Sequence, residues 1–393
     1  MLQAWPLIRP LWGYPGESRY LRFRRVSFTA LHAERLTQGG TRWSISPLPV
    51  MRNLSLLRVL ARSFLGGEAT AEQITARASR TLGRQWRWLG PLVRRYLRAV
   101  AGRTRPRHRD VIRFFLDDHG FRRAWSKHFH ELSVDQWLTE PQRMQPVPAA
   151  GTWNVPRIES VAALCDWLWL EPGQLEWFAD LKGLCYKKNR PLLRHYHYRV
   201  LSKRDGNIRL IEAPKSRLKK LQRQILTEIL ERIPPHPCVH GFLKGRSIRT
   251  FAAPHVGQRV VLRMALSDFF PTFAAARIQT LFRTMGYPEP VADLLGGICT
   301  NRAPRDLWSG FPTEARGLYS RPHLPQGAPA SPALANLCSY RIDCRLAGSR
   351  NRRGRGTRVT PTILLFPVVR TLREESRGSQ RMSPPSCLRK GSP

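Results

Sequence analysis

The sequence predicts an α+β protein in which a basic helical region precedes a mixed strand-and-helix segment. Three observations carry this. Apolar residues recur at helical spacing through Leu54, Leu57, Ala61 and Phe64 or Leu65. Residues 196–213, YHYRVLSKRDGNIRLIEA, read as a hairpin that turns through Asp205-Gly206-Asn207. Residues 263–273, RMALSDFFPTF, follow Val260 and Val261 and have the form of a buried strand ending at a working edge.

Residues 1–50 contain no Asp and mix Trp, Pro, Gly and Arg without a sustained period. They are expected to be a poorly ordered upstream extension, with Met51 as the natural start. A cleaved targeting peptide fits less well, because Pro6 and Pro10 break the apolar pieces. Residues 51–193 form the basic helical region, clearest in RQWRWLGPLVRRYLRAV at 84–100. Interleaved Arg and Trp can clamp phosphates and stack on bases, or simply place Arg stems over packed Trp. Residues 157–181 predict two short amphipathic helices turning at Pro172-Gly173, their Trp and Leu facing a core.

The third region, 194–348, opens with the hairpin: one strand to about Leu201, the other from Ile208 to Ile211. Lys203 and Arg209 flank its turn, where two cations can grip a triphosphate or stand solvated. In the next helix Leu218, Leu221, Ile225 and Ile229 make the stripe that must bury, and Lys215, Lys219 and Arg223 make a basic row. LPQGAPASPALANL, 324–337, sets Gln-Gly and two Pro before a helical run, which predicts a rigid loop whose backbone approaches a ligand closely. Residues 349–393 turn Arg/Ser/Pro-rich and are expected to be an aberrant, disordered tail, the break near 348 being read as a frameshift.

The formal net charge is +39, of which residues 1–50 contribute +5 and 349–393 contribute +9, leaving +25 on the middle. Such self-repulsion points to a polyanionic partner, by default nucleic acid. A membrane partner is not expected, since the apolar stretch Ile363–Phe366 is far too short to span. The 7 Cys include no CxxC pair, which argues for free thiols in a cytoplasmic protein and against a disulfide framework or zinc ribbon. Neither His128/His130 nor His195/His197 has a Cys or carboxylate set at ligand spacing.

The order of K…G.IR.IE.P, LK.LQR.IL..IL, HGFLKGRSI at 240–248, DFFP and LPQGAPASPALANL resembles the reverse transcriptases of bacterial retrons over about 195–345. AAPH at 252–255 is similar to the retron NAxxH element, with Phe251 in place of Asn, and the helical region before 194 resembles the extension of a myxobacterial subgroup. The resemblance implies a right-hand polymerase with fingers and palm, copying RNA into DNA with two Mg²⁺ ions. It implies triphosphate contacts at Lys203, Arg209 and Asp268, an aromatic steric gate at Phe270, and a nucleotide-covering loop at Gln326 and Gly327. RNA-binding roles fall on Lys215, Lys219, Arg223, Arg246 and His255. The implied partners are a structured non-coding RNA, the RNA/DNA hybrid and, in a phage-defence setting, an effector.

The same resemblance exposes a loss. The family carries a metal-binding Asp in D-L-x-D-F-F, and here Ala265 stands at that position. Its later Y-x-D-D pair is absent, Asp343 being the last Asp, so the palm is expected to be incomplete. Phe115-Leu116-Asp117-Asp118 matches a loose [F/Y]-x-D-D pattern but lies well before the fingers, in a helical stretch. Three readings are open: a reverse transcriptase homologue inactive as written, a non-catalytic RNA-binding remnant, or a decayed product.

Overall fold

A computed structural model describes residues 54–137, 140–187, 191–203, 208–257, 263–264, 266–311, 313–352 and 362–363. The expectations for residues 1–50, Met51, the hairpin turn at 205–207, Val260, Val261, Ala265 and most of 349–393 lie outside the described residues. The chain divides into two units, one of 1–237 with 268–345 and the other of 238–267 with 346–393.

The first unit begins with five helices around their own core. They are α1 (Leu54–Leu65), α2 (Ala71–Thr81), α3 (Leu89–Val100), α4 (His108–Asp117) and α5 (His119–His128). The apolar period of α1 is realised from Leu57 on: Leu57, Ala61, Phe64 and Leu65 are buried, with Leu60 beside them, while Leu54 at the helix start is exposed and Arg58 and Arg62 stay outside. Phe64 stands edge-on to both Tyr96 and Phe115, with ring centroids at 5.2 and 4.9 Å. Such pairs add to burial through the ring quadrupoles. The helix expected over 84–100 starts only at Leu89, which places Pro91 in its first turn, where a missing N–H loses no bond. Ahead of it the Arg84 guanidinium lies 3.7 Å from the ring centre of the buried Trp86, so here the Arg stem covers a packed Trp.

Asp117 and Asp118 sit where α4 gives way to α5. Asp118 accepts from the Phe121 amide as the N-cap of α5 and pairs through both oxygens with Arg95, at 2.7 and 2.8 Å. The [F/Y]-x-D-D match is therefore a helix junction.

A second core runs from Val147 to Cys338. It includes α6 (Val161–Leu168) and α7 (Pro172–Ala179), the latter with Pro at its first position as the Pro172-Gly173 turn predicts. After a single turn, α8 (Leu184–Lys187), strands β1 (Tyr196–Ser202) and β2 (Ile208–Pro214) pair antiparallel from Tyr196↔Pro214 to Ser202↔Ile208. Helix α9 (Ser216–Glu228) buries Leu218, Leu221 and Ile225, and Ile229 follows them inward. The chain then passes through α10 (Ile248–Ala252) and β3 (Arg263–Met264) of the second unit. It returns in α11 (Phe269–Thr272), α12 (Ala275–Thr284), α13 (Glu289–Ile298), α14 (Thr313–Tyr319) and α15 (Ser331–Arg352). In the second unit β3 pairs parallel with β4 (Thr362–Ile363). The six described cysteines are free, and Cys165, Cys299 and Cys338 are buried. Among the described residues no helix is long and apolar enough to cross a membrane.

Burial alone would raise the Asp118 carboxyl, but the Arg95 and Phe121 hydrogen bonds outweigh it and hold it below its ordinary value. Its contribution is thus present above the unfolded carboxylate range and lost as pH falls through the depressed folded value. Asp118→Ala is expected to lower stability by about 1 kcal/mol at neutral pH, in the range of a lost N-cap, and by less in acid, read from denaturant unfolding at the two pH values.

Candidate functional site

The β1–β2 hairpin, the α11 turn and the 322–327 loop come together in the first unit. Strand β2 alternates strictly, with Ile208, Leu210, Glu212 and Pro214 buried and the residues between them half-buried. That alternation sets Arg209 on the opposite face from Glu212's inward side chain. Lys203, just past β1, donates to Asp268 Oδ1 at 2.8 Å, both side chains being partly exposed. Asp268 precedes α11 in the left-handed region, φ +45°, and does not cap that helix with its side chain. Its carboxylate is committed to Lys203.

Phe270 is buried on α11, its ring 5.7 Å from that of Phe269. The loop that enters α15 is stitched on both sides. The Ala275 amide donates to Pro322 O and the Leu324 amide to Phe273 O, each at 3.0 Å, and the Glu212 amide donates to Gln326 O at 2.8 Å. Gly327 has φ +121°, and a Cβ there would stand 3.2 Å from Glu212 O and 3.3 Å from Ile211 Cγ2. Glycine is required twice over, by the dihedral and by the approach of one backbone to another.

Of the expected site residues, the structure thus joins Lys203 directly to Asp268, and brings the Gln326–Gly327 loop onto β2 and the end of α11. Arg209 lies on β2 and makes no ion pair among the described residues. Lys215 stands at the N-cap of α9 with its ammonium on Leu192 O at 3.1 Å, and Lys219 and Arg223 follow on the exposed face. Arg246 and His255 belong to the other unit, where His240 and Phe251 rings lie 5.9 Å apart and Phe251 and His255 rings 5.8 Å apart. The pattern reading did not single out Glu212, His323, Asn301 or Tyr198, which form a polar cluster beneath the loop with Glu212 and His323 buried and the other two half-buried. The signal was present: an acid at an inward position of an alternating strand demands buried partners.

Among the described residues no group of three His, Cys, Asp or Glu is placed to hold a metal ion. Asp268, the carboxylate beside Lys203, is already tied to that ammonium at 2.8 Å, which does not fit a free metal ligand.

Residues 201–353 match the family model "Reverse transcriptase (RNA-dependent DNA polymerase)". The chain is 44% identical over 181 residues to Retron Mx65 reverse transcriptase of Myxococcus xanthus, covering 44% of this chain and 40% of that protein. It is 34% identical over 255 residues to Retron Mx162 reverse transcriptase of the same organism, covering 65% and 50%. It is 34% identical over 150 residues to Retron Ec86 reverse transcriptase of Escherichia coli, covering 38% and 41%. The chain spans half or less of the length of these relatives.

Two experiments test the geometry. Gly327→Ala is expected to destabilise by about 1–3 kcal/mol, the range for side chains forced into glycine-only backbone, seen as a lower denaturant midpoint. A double-mutant cycle on Lys203 and Asp268 is expected to give a coupling of about 0.2–1 kcal/mol that shrinks with salt, as for other partly exposed pairs. Over residues 201–353 the chain thus matches the reverse transcriptase family, and it is similar to retron reverse transcriptases of Myxococcus xanthus.

Proposed function

We propose that this chain keeps the nucleotide-gripping and RNA-gripping parts of an RNA-directed DNA polymerase and does not catalyse DNA synthesis as written. The observation that carries the proposal is Ala265 in RMALSDFFPTF, at the place of the family's metal-binding Asp. Phosphoryl transfer by two metal ions depends on carboxylates that bridge them, and a methyl group cannot substitute. Ala265 lies inside the matched segment, so the loss is independent of the residues beyond Asp343.

In this reading residues 194–348 are fingers and an incomplete palm, preceded by a helical extension over 51–193. Lys203 and Arg209 bind the triphosphate, Phe270 excludes a 2′-hydroxyl, and Gln326 with Gly327 covers the nucleotide. Asp268 occupies Lys203 until a phosphate takes its place, which the 2.8 Å pair supports. Lys215, Lys219, Arg223, Arg246 and His255 contact a structured non-coding RNA and the RNA/DNA hybrid in the cytoplasm. Salt-dependent phosphate contacts supply most of that affinity.

The second reading, an RNA-binding remnant, is favoured by the +25 charge of residues 51–348, which persists whatever the catalytic state. Primer extension with Mg²⁺ on an RNA template tests the first. The unmodified chain is expected to give no templated product, and product would overturn the loss of activity; Ala265→Asp alongside asks whether one carboxylate restores synthesis. RNA affinity falling by orders of magnitude between 50 and 200 mM salt is expected under either reading, on the order of 10³-fold for several phosphate contacts. Absence of cooperative thermal unfolding would instead mark a decayed product.

A further inference from the structure

Beneath the 322–327 loop lies a polar cluster with a buried centre, Glu212 and His323, and the half-buried Asn301 and Tyr198 around it. His323 and Glu212 are both fully buried, and His323 Nε2 meets Glu212 Oε2 at 2.9 Å. The other ring nitrogen, Nδ1, meets the Arg321 carbonyl at 2.8 Å. A carbonyl oxygen only accepts, so Nδ1 must carry a proton. The remaining Glu212 oxygen accepts from Asn301 Nδ2 at 2.7 Å, and the same amide nitrogen donates to Tyr198 OH at 3.0 Å. Asn301 and His323 also exchange both backbone hydrogen bonds at 2.9 Å. Each carboxylate oxygen thus has a donor, which is how an ionised acid survives burial.

Glu212 grips the loop at two points. Its side chain holds His323 at the loop's beginning, and its backbone amide holds Gln326 O three residues on. Between them the Leu324 amide is fixed to Phe273 O, just beyond α11. We propose that Glu212, His323 and Asn301 are positioning residues that set the Gln326–Gly327 backbone over the nucleotide site, with His323 as an imidazolium paired to the Glu212 carboxylate. This rests on the nucleotide-site reading of that loop.

The pairing carries a pH sign. Burial would lower the His323 value, but the Glu212 charge and hydrogen bond, with the Arg321 carbonyl, outweigh it and raise the net value above the ordinary one. The neighbouring groups are Arg321, whose charge opposes protonation, the Tyr319 ring at 5.2 Å, and Tyr198 through Asn301. Tyr196 also feels the Glu212 charge, while Asp268 and Arg209 act on Tyr319. A raised histidine contributes fully below its unfolded value of about 6.5, and the contribution is lost as pH rises through the folded value.

Three measurements on the full chain test this. In ¹⁵N-histidine-labelled protein, with His323 assigned through His323→Gln, both ring nitrogens are expected to be protonated at pH 7.5; a neutral ring overturns the inference. Hydrogen exchange over 322–330, corrected for intrinsic rates, is expected to speed up at least tenfold in Glu212→Gln, because one of the two acceptor oxygens becomes an NH2 and the charge that holds the imidazolium is lost. Wild-type protection over the same peptide is expected to fall at alkaline pH, and that pH step to vanish in the variant. Unchanged exchange, or a pH profile shared by both proteins, overturns the inference. Binding of dGTP by equilibrium dialysis is expected to weaken severalfold in Glu212→Gln. If wild type binds no dGTP while exchange and NMR behave as stated, the clamp stands and the nucleotide-site reading falls.

Discussion

A carboxylate taken wholly out of water, that of Glu212, constrains more of this site than any other single group. The pleat of β2 turns position 212 inward, alongside Ile208, Leu210 and Pro214. An ionised acid there is tolerable only if donors replace its hydration. Asn301 and His323 supply them, and to do so the segments that carry them must lie side by side. The loop to α15 is thereby drawn against β2, and Leu324 against Phe273. Once that arrangement is fixed, the α11 turn, with Asp268 and Phe270, faces the same region as the hairpin and Lys203 meets Asp268.

The basic excess separates into two populations with different physical roles. Arg77, Arg105, Arg107 and Arg283 are buried. Arg77 and Arg105 act as struts on backbone carbonyls: Arg77 holds Ser63 O and Glu68 O, and Arg105 holds Leu65 O at the end of α1 together with Arg143 O. Burial pushes the Arg105 guanidinium down to about 10, so it still carries its charge at neutral pH. Arg107 joins the helical core to α12 and α13 through Gln279 and Asp293. Arg58, Arg62, Arg94, Arg98, Arg122 and Arg123 are instead exposed on the helices, where a polyanion can reach them. Net charge argues for a nucleic-acid partner, but only the second group is available to it.

On the reading proposed above, the eleven residues RMALSDFFPTF keep their packing and lose a metal ligand. Within this stretch Phe270 is buried and Asp268 lies in the left-handed region. Metal binding is carried by oxygen ligands, which alanine does not have.

The sequence by itself determined the elements whose signals are local. The β1–β2 hairpin, the inward stripe of α9, the Pro172 start of α7 and the loop-to-helix entry at 324–337 follow from period, turn chemistry and proline geometry. It also determined that alanine stands at position 265, on which the proposed loss of activity rests. Tertiary structure decided what depends on partners far along the chain. Asp118 became a helix cap with a guanidinium on it because Arg95 lies across the bundle, and Trp86 became core because Arg84 closes over it. Glu212, an unremarked acid in IEAP, became the centre of the loop's support only when Asn301 and His323, about ninety and one hundred and ten positions away, were brought to it. Periodicity records which face a side chain takes; it holds no record of which distant donor will meet it there.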